Sequence, residues 1–230
     1  MLAEYVTEVQ QHLNDQQGQF FPLETLRNYI NRSRRRIAAA SGCLRLLPQG
    51  TLTVPGQEVY PFKPWDALVQ DQLPGAKSVL ACRSLSIAIG PQGWKPMWRR
   101  IVWTDFQARF RIFNRTFYGQ LAEPGWWSQY GLGPDAALYL APIPATITQM
   151  EVDLSCIPMP LTNDDDPEPI PYPWTDAVSY WAAVLALIQQ QRKEDAQVMI
   201  QLFNTDMPMC AAVVCPQMIQ TPYGAMIRSA

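Results

Sequence analysis

Leu2, Val6, Val9 and Leu13 recur at spacings of four, three and four, which a helix gathers on one face. The run ends around Asn14-Asp15, and Gly18 marks a turn. Pro22 suits the first position of a second helix, where its missing N–H costs nothing. Leu23, Leu26, Ile30 and Ile37 form that helix's apolar stripe, and Gly42 is its stop. A short loop between the two predicts an antiparallel pair. From Leu47 to Pro160 the period changes. Thr51–Val54 and Gln57–Phe62 read as strands around the turn Pro55-Gly56. Ser78–Ile89 and Trp94–Trp103 read as a hairpin closed by Gly90–Gly93. Thr104-Asp105-Phe106 opens a helix carrying Phe106, Phe110 and Phe113 on one face. Further strands are predicted at Gly125–Tyr130, Ala136–Leu140 and Thr146–Leu154. Helical spacing returns with Trp174, Val178, Trp181, Leu185 and Ile188, then Met199 and Phe203. Unbroken, that helix would run about 45 Å, but Gln189–Asp195 is polar all round and predicts a break. From Met207 onward Pro208, Pro216 and Pro222 interrupt any period, and the segment reads as an extended tail.

The fold class is therefore α+β: a helical bundle from residues 1–47 and 172–205, an inserted antiparallel β domain over 48–160, an acidic Pro-rich linker over 161–171 and a C-terminal tail over 206–230. Each apolar stripe alone is marginal in water, so the two ends are expected to share a core containing Leu26, Ile30, Trp181, Leu185 and Ile188. In the linker, Asp164, Asp165, Asp166 and Glu168 read as a solvated charge run. They lack the Gly and terminal Glu spacing of a calcium loop.

Composition sharpens this picture. Charged residues make up only 17% of the 230 residues, alongside eight Trp and twenty-one Pro. A low-charge surface with spare aromatics points to cover by partners. A net charge of −2 argues against tight nucleic-acid binding. The five cysteines are odd in number and scattered without a C-x-x-C, so neither disulfides nor zinc is expected. No run is long enough to span a membrane, and no signal peptide is visible. The reading is a soluble chain made in a reducing cytoplasm.

Catalysis has little to stand on. The single histidine, His12, reads as a solvated surface side chain, and no nucleophile elbow, phosphate loop, dinucleotide fingerprint or zinc-protease motif occurs. No enzyme activity, metal or cofactor is expected. Arg32, Arg34, Arg35 and Arg36 point to about 0°, 200°, 300° and 40° around their helix, so they cannot share one face. Some must lean toward the rest of the molecule or a neighbour. They read as snorkelling arms, as intersubunit or channel-facing ion pairs, or as phosphate contacts. Trp94, Trp98, Trp126 and Trp127 read as core or interface anchors. The rival is a sugar-stacking platform, although adjacent Trp126 and Trp127 would face opposite sides of a strand. The tail is apolar through Met207, Met209, Val213, Val214, Met218, Ile219, Tyr223, Met226 and Ile227, whereas solvated tails are usually charged. It reads as a segment buried on a partner.

Several stretches together carry a family likeness: Thr51–Phe62 (TLTVPGQEVYPF), Met97–Phe106, Glu123–Gly131 (EPGWWSQYG), Leu138–Pro144 (LYLAPIP), Met150–Leu154 and Ile170–Ala183 (IPYPWTDAVSYWAA). In this order the chain resembles the head-to-tail connector, or portal-adaptor, proteins of tailed bacteriophages over most of residues 20–205. The resemblance implies a virion protein at the head-tail junction, assembled as a twelve-fold ring. Its partners would be further copies of itself, the portal protein, a downstream tail or nozzle protein, and genomic DNA passing through the lumen without tight binding. It implies a C-terminal extension gripping the portal and a role in genome ejection. A carbohydrate-binding β module and another tail tube component are the competing readings; an exposed aromatic row on one sheet face would favour the first.

Overall fold

The structure, a computed structural model, describes residues 1–88, 93, 95–111 and 125–214. The chain separates into two compact units, Leu44–Met159 and a helical unit joining Met1–Cys43 to the chain from Pro160 onward.

In the helical unit, α1 (Leu2–Leu13) buries Leu2, Val6, Val9 and Leu13, the face its spacing predicts, together with Tyr5. Two coupled hydrogen bonds end it, Asn14 N–H to Gln11 O and Asp15 N–H to Gln10 O, with Asn14 left-handed at φ 54°. This is a Schellman stop, and Asn tolerates the conformation better than most residues. The turn behind it is organised by Asp15, which is buried and whose carboxylate accepts the N–H groups of Gln19, Phe20 and Phe21 at 2.9–3.1 Å. α2 (Leu23–Ser41) starts after Pro22 and stops at Gly42, left-handed at φ 60°.

α5 (Trp174–Gln189) is the helix on which α1, α2 and α6 all pack. Its buried face is built mainly of small residues: Ala177, Ala182, Ala183 and Ala186 are fully enclosed, with Val178 and Leu187. Of the expected core residues, Leu26 and Ile30 are fully buried, Trp181 and Leu185 only half-buried, and Ile188 is 54% exposed. The large side chains of α5 had drawn the stripe toward themselves. Alanines instead face inward because three helices must approach one axis closely, and the bulky residues flank that contact.

The predicted break is present. Gln191 N–H bonds Ile188 O and Arg192 N–H bonds Leu187 O, a second Schellman stop, with Gln191 at φ 61°. α6 (Lys193–Val214) then runs back. It continues through Met207–Val214, where an extended tail was expected. Phe203, Met207 and Cys210 share one face; Phe203 and Cys210 are buried and Met207 packs against the same core. That burial outweighs the hydrogen bond lost at Pro208, whose own side chain is exposed.

The other unit holds two sheets. The first orders β1 (Arg45–Leu46), β7 (Met150–Pro158) and β3 (Ala76–Ile87), all antiparallel. The second orders β2 (Val59–Pro61), β6 (Ala137–Ala141), β5 (Trp126–Tyr130) and β4 (Arg99–Arg100), with β4 parallel to β5. Only Leu52 of the expected strand Thr51–Val54 pairs, with Gln149. Of the expected hairpin's turn only Gly93 is among the described residues. Its arms meet at Ser86 and Met97, after which Arg99 and Arg100 cross into the second sheet.

β3 is irregular. Its register with β7 shifts at three places, between Ala76 and Ser78, Val79 and Ala81, and Cys82 and Ser84, as when extra residues bulge from a strand. Backbone groups that β7 does not pair find other partners. Val79 N–H donates to Asp66 Oδ1 at 2.8 Å and Cys82 N–H to Gln129 Oε1 at 2.9 Å, while Leu80 O accepts from Gly133 and Leu85 O from Trp98. Asp66 belongs to α3 (Trp65–Gln72), a helix the sequence reading passed over; its signals were Pro64, an acidic first turn, and Trp65 and Val69 four apart.

Gly125 is held tightly. A Cβ there would lie 2.5 Å from Ala141 O and 2.7 Å from the Trp98 ring. Gly125→Ala is expected to cost about 1–3 kcal/mol, as for overpacked cores, read as a lower midpoint in urea by tryptophan fluorescence. An unchanged midpoint would show that this wall yields freely.

Candidate functional site

The arginines of α2 sort by angle. Arg32, Arg35 and Arg36 lie within one arc and are exposed, whereas Arg34 turns the opposite way and is fully buried. Its guanidinium meets Glu168 as a fork, Nε to Oε2 at 2.8 Å and Nη2 to Oε1 at 2.9 Å, with both side chains at most 2% exposed. Nη1 also donates to Asn31 Oδ1 at 3.2 Å. Asn31, one turn earlier, takes Leu161 N–H on its Oδ1 at 2.7 Å and donates its amide to Leu161 O at 2.9 Å. The Tyr5 hydroxyl lies beside this cluster; burial first, and the Glu168 charge second, push its pKa up and keep it protonated.

This changes two expectations. Arg34 is not an intersubunit or channel-facing group, because its charge is neutralised inside its own unit. The segment 161–171 is not a solvated linker but a strap tied to the bundle. Leu161 and Ile170 are buried. Asp164 Oδ1 accepts Ala3 N–H at 2.7 Å, capping the first turn of α1. Asp166 closes its own turn by accepting Thr162 and Asn163 N–H, and these bonds hold its carboxyl below the usual carboxylate range. Three carboxylates of the charge run, Asp164, Asp166 and Glu168, become structural by meeting an N–H or a guanidinium, while Asp165 is exposed.

The tryptophans are likewise internal. Trp127 is buried and its Nε1 donates to Trp98 O at 3.1 Å; Trp98 is itself buried. Trp126 stacks on Phe110 at 5.1 Å, and Tyr139 on the neighbouring strand lies against Trp103 at 4.5 Å. The ring row on the second sheet is thus covered by α4 (Trp103–Phe106) and the wider π-helical turn Gln107–Arg111. Trp98 and Trp127 are core residues rather than interface anchors, and Trp126 is half covered by its own unit. Trp94 lies outside the described residues. So do Phe113 and the tail residues Met218, Ile219, Tyr223, Met226 and Ile227; Met209, Val213 and Val214 belong to α6.

Among the described residues no group of three His, Cys, Asp or Glu is placed to hold a metal ion, and no helix is long and apolar enough to cross a membrane. His12 packs on Tyr180, ring centroids 4.9 Å apart, and burial lowers its pKa. The Cys156 thiol is pushed up to about 12, by burial first and then by Asp66 and Asp153, so it is a packed hydrophobe and not a nucleophile. A hollow of about 410 Å³ between α1 and the strap is lined by Leu2, Val6, Leu23 and Asp164, whose carboxylate already serves Ala3.

The model of the SU10 adaptor protein family matches residues 2–212, nearly the whole chain. The chain belongs to the SU10 adaptor family. No curated protein matches it. The family is one of phage head-tail adaptors, so this member is a structural component of the phage virion, with portal and tail proteins as the partners that family implies. The match spans both units of the adaptor, the strap and nearly all of α6. The groups fixed by the structure, Arg34, Glu168 and Asn31, belong to its scaffold; those it leaves exposed, Arg32, Arg35 and Arg36, are the candidates for contact.

Removing one half of a buried pair strands the other. Arg34→Met in the adaptor is expected to cost about 3–5 kcal/mol, and Arg34→Met with Glu168→Met to recover much of that loss. Thermal denaturation of the four proteins in the cycle measures it. Equal loss in single and double variants would mean that shape, not charge, holds the strap.

Proposed function

We propose that this adaptor is a non-enzymatic ring of twelve copies that joins the portal to the tail and lines part of the DNA passage. The match to the adaptor family over residues 2–212 carries the reading. Two features of the chain support the finer parts. Closed rings need heterologous contacts between two different surfaces of each copy, and the exposed arc of Arg32, Arg35 and Arg36 supplies one. The chain beyond Val214 holds Met218, Ile219, Tyr223, Met226 and Ile227 with Arg228 as its one charge. Such a composition favours burial on a partner, with methionines adapting to an irregular groove. At about 3.3 Å per residue its sixteen residues reach up to ~53 Å, enough to grip a neighbouring portal ring. The Trp103–Tyr139–Trp126 row is partly covered by the helical turn packed on it, which weighs against a sugar-binding module.

The tether is testable by truncation. A chain ending at Val214 keeps Phe203, Met207 and Cys210 and is expected to retain its melting transition while losing stable attachment to the portal in co-sedimentation. Undiminished occupancy on portals would remove the tail from this role. A chain ending at Phe203 is expected to be destabilised as well, because it lacks Cys210 of the core.

Passage without capture is the second expectation. At net charge −2 the free adaptor should show no submicromolar affinity for duplex DNA at physiological salt, since tight non-specific binding rests on phosphate neutralisation. Filter binding decides this; submicromolar retention would mark a true DNA binder.

A further inference from the structure

Helix α6 separates two exposed grooves of the helical unit, and two neighbouring residues of α5 mark them. Trp181 has the Arg36 guanidinium 3.7 Å above its ring and Phe203 at 5.0 Å, so its groove lies between α2 and α6. Tyr180 has His12 at 4.9 Å and the carboxylate of Asp206 beside its hydroxyl, so its groove lies between α1 and α6.

The grooves differ in sign. The first carries exposed Arg32, Arg35 and Arg36, and beyond Trp181 the same face of α5 continues through Leu185 to Ile188, 54% exposed. The second gathers Glu4, Glu8, Asp176 and Asp206. Partial burial raises the Glu8 carboxyl, Ser179 works against that shift, and the charges of Asp176 and Glu4 add to it. The Tyr180 hydroxyl is raised by burial and then by Asp206, Asp176 and Glu8. The Met1 ammonium stands 4.0 Å from Glu4. One and two turns before Asp206, the same face of α6 presents Leu202 and Val198, 41% and 53% exposed.

We infer that these two grooves are the two halves of one contact between copies, the Arg32–Arg35–Arg36 groove of one adaptor seated on the Glu4–Glu8–Asp176–Asp206 groove of the next. The inference rests on the ring reading above and names the surfaces that close the ring. Three guanidinium forks meet four carboxylates, a pairing whose geometry favours arginine. The stripe Trp181–Leu185–Ile188 faces the strip Val198–Leu202, giving an apolar centre with a charged rim. A two-fold dimer through either groove would set like charges against each other, which is costly. Only a head-to-tail arrangement pairs every groove with its opposite, and head-to-tail repetition is what generates rings.

Charge exchange tests it. One variant carries Arg32→Glu, Arg35→Glu and Arg36→Glu; the other carries Glu8→Lys, Asp176→Lys and Asp206→Lys. Circular dichroism confirms that each keeps the fold. Sedimentation velocity, alone and with portal particles, follows assembly. Each variant alone is expected to need on the order of tenfold more protein to assemble, since like charges now face each other. Their mixture restores assembly, because each reversed groove finds a complementary one, and added salt weakens the wild-type contact. If the wild type assembles and both variants do so equally well, the groove assignment is overturned while the ring reading stands. A mixture that stays unassembled also overturns the assignment. A wild type that remains monomeric both alone and on portals overturns the ring reading itself.

Discussion

The fork between Arg34 and Glu168 is the constraint on which the helical unit depends. It joins residues far apart in sequence, one in the middle of α2 and one in the strap that returns the chain from the β unit to α5. A guanidinium buried without a carboxylate would carry a large desolvation cost, as would the carboxylate alone. The pair is therefore tolerated only when strap and helix are in register. Asn31 sets that register one turn away, using its amide as a piece of strand against Leu161. From that fixed strap α5 begins in one place, and α1, α2 and α6 can pack on its alanine face.

The same helix faces two ways. A sequence of four arginines within five positions looks like one basic patch, but the helical period divides it into a structural residue and a surface arc. Arg34 holds the fold, whereas Arg32, Arg35 and Arg36 remain available for contact. In the ring proposed above, fold and assembly would draw on one stretch of chain without competing for the same side chain.

What could be read in advance follows the range of the forces involved. The stripe of α1, the stop at Gly42 and the break after Gln189 rest on periodicity and turn chemistry within a few residues, and these were legible. The angular argument also showed that the four arginines must part company, but not that Glu168 would receive one of them. That partnership spans 134 positions, and nothing local distinguishes a carboxylate bound for the interior from its solvated neighbours. Pro208 illustrates the opposite error, where a local rule was correct about cost but silent on the burial of Phe203 and Cys210 that outweighs it. Size misled at α5, where bulky residues were expected inside yet the tight packing relies on alanine. For the tryptophans the pattern left core and interface open, and Trp98 and Trp127 fall on the core side, inside their own unit.

The bulged strand β3 bears on how such a protein survives being crowded. In the ring proposed above, an adaptor would be held at high local density against identical copies, a condition in which open strand edges seed sheet-to-sheet polymers. Here backbone groups on the outer edge of β3, the one long outermost strand among the described residues, are taken by Asp66, Gln129, Gly133 and Trp98, and the other outermost strands β1, β2 and β4 are only two or three residues long. Main-chain hydrogen bonding between copies would proceed without a natural end point. With those edges blunted, association is left to side chains, which can count and stop.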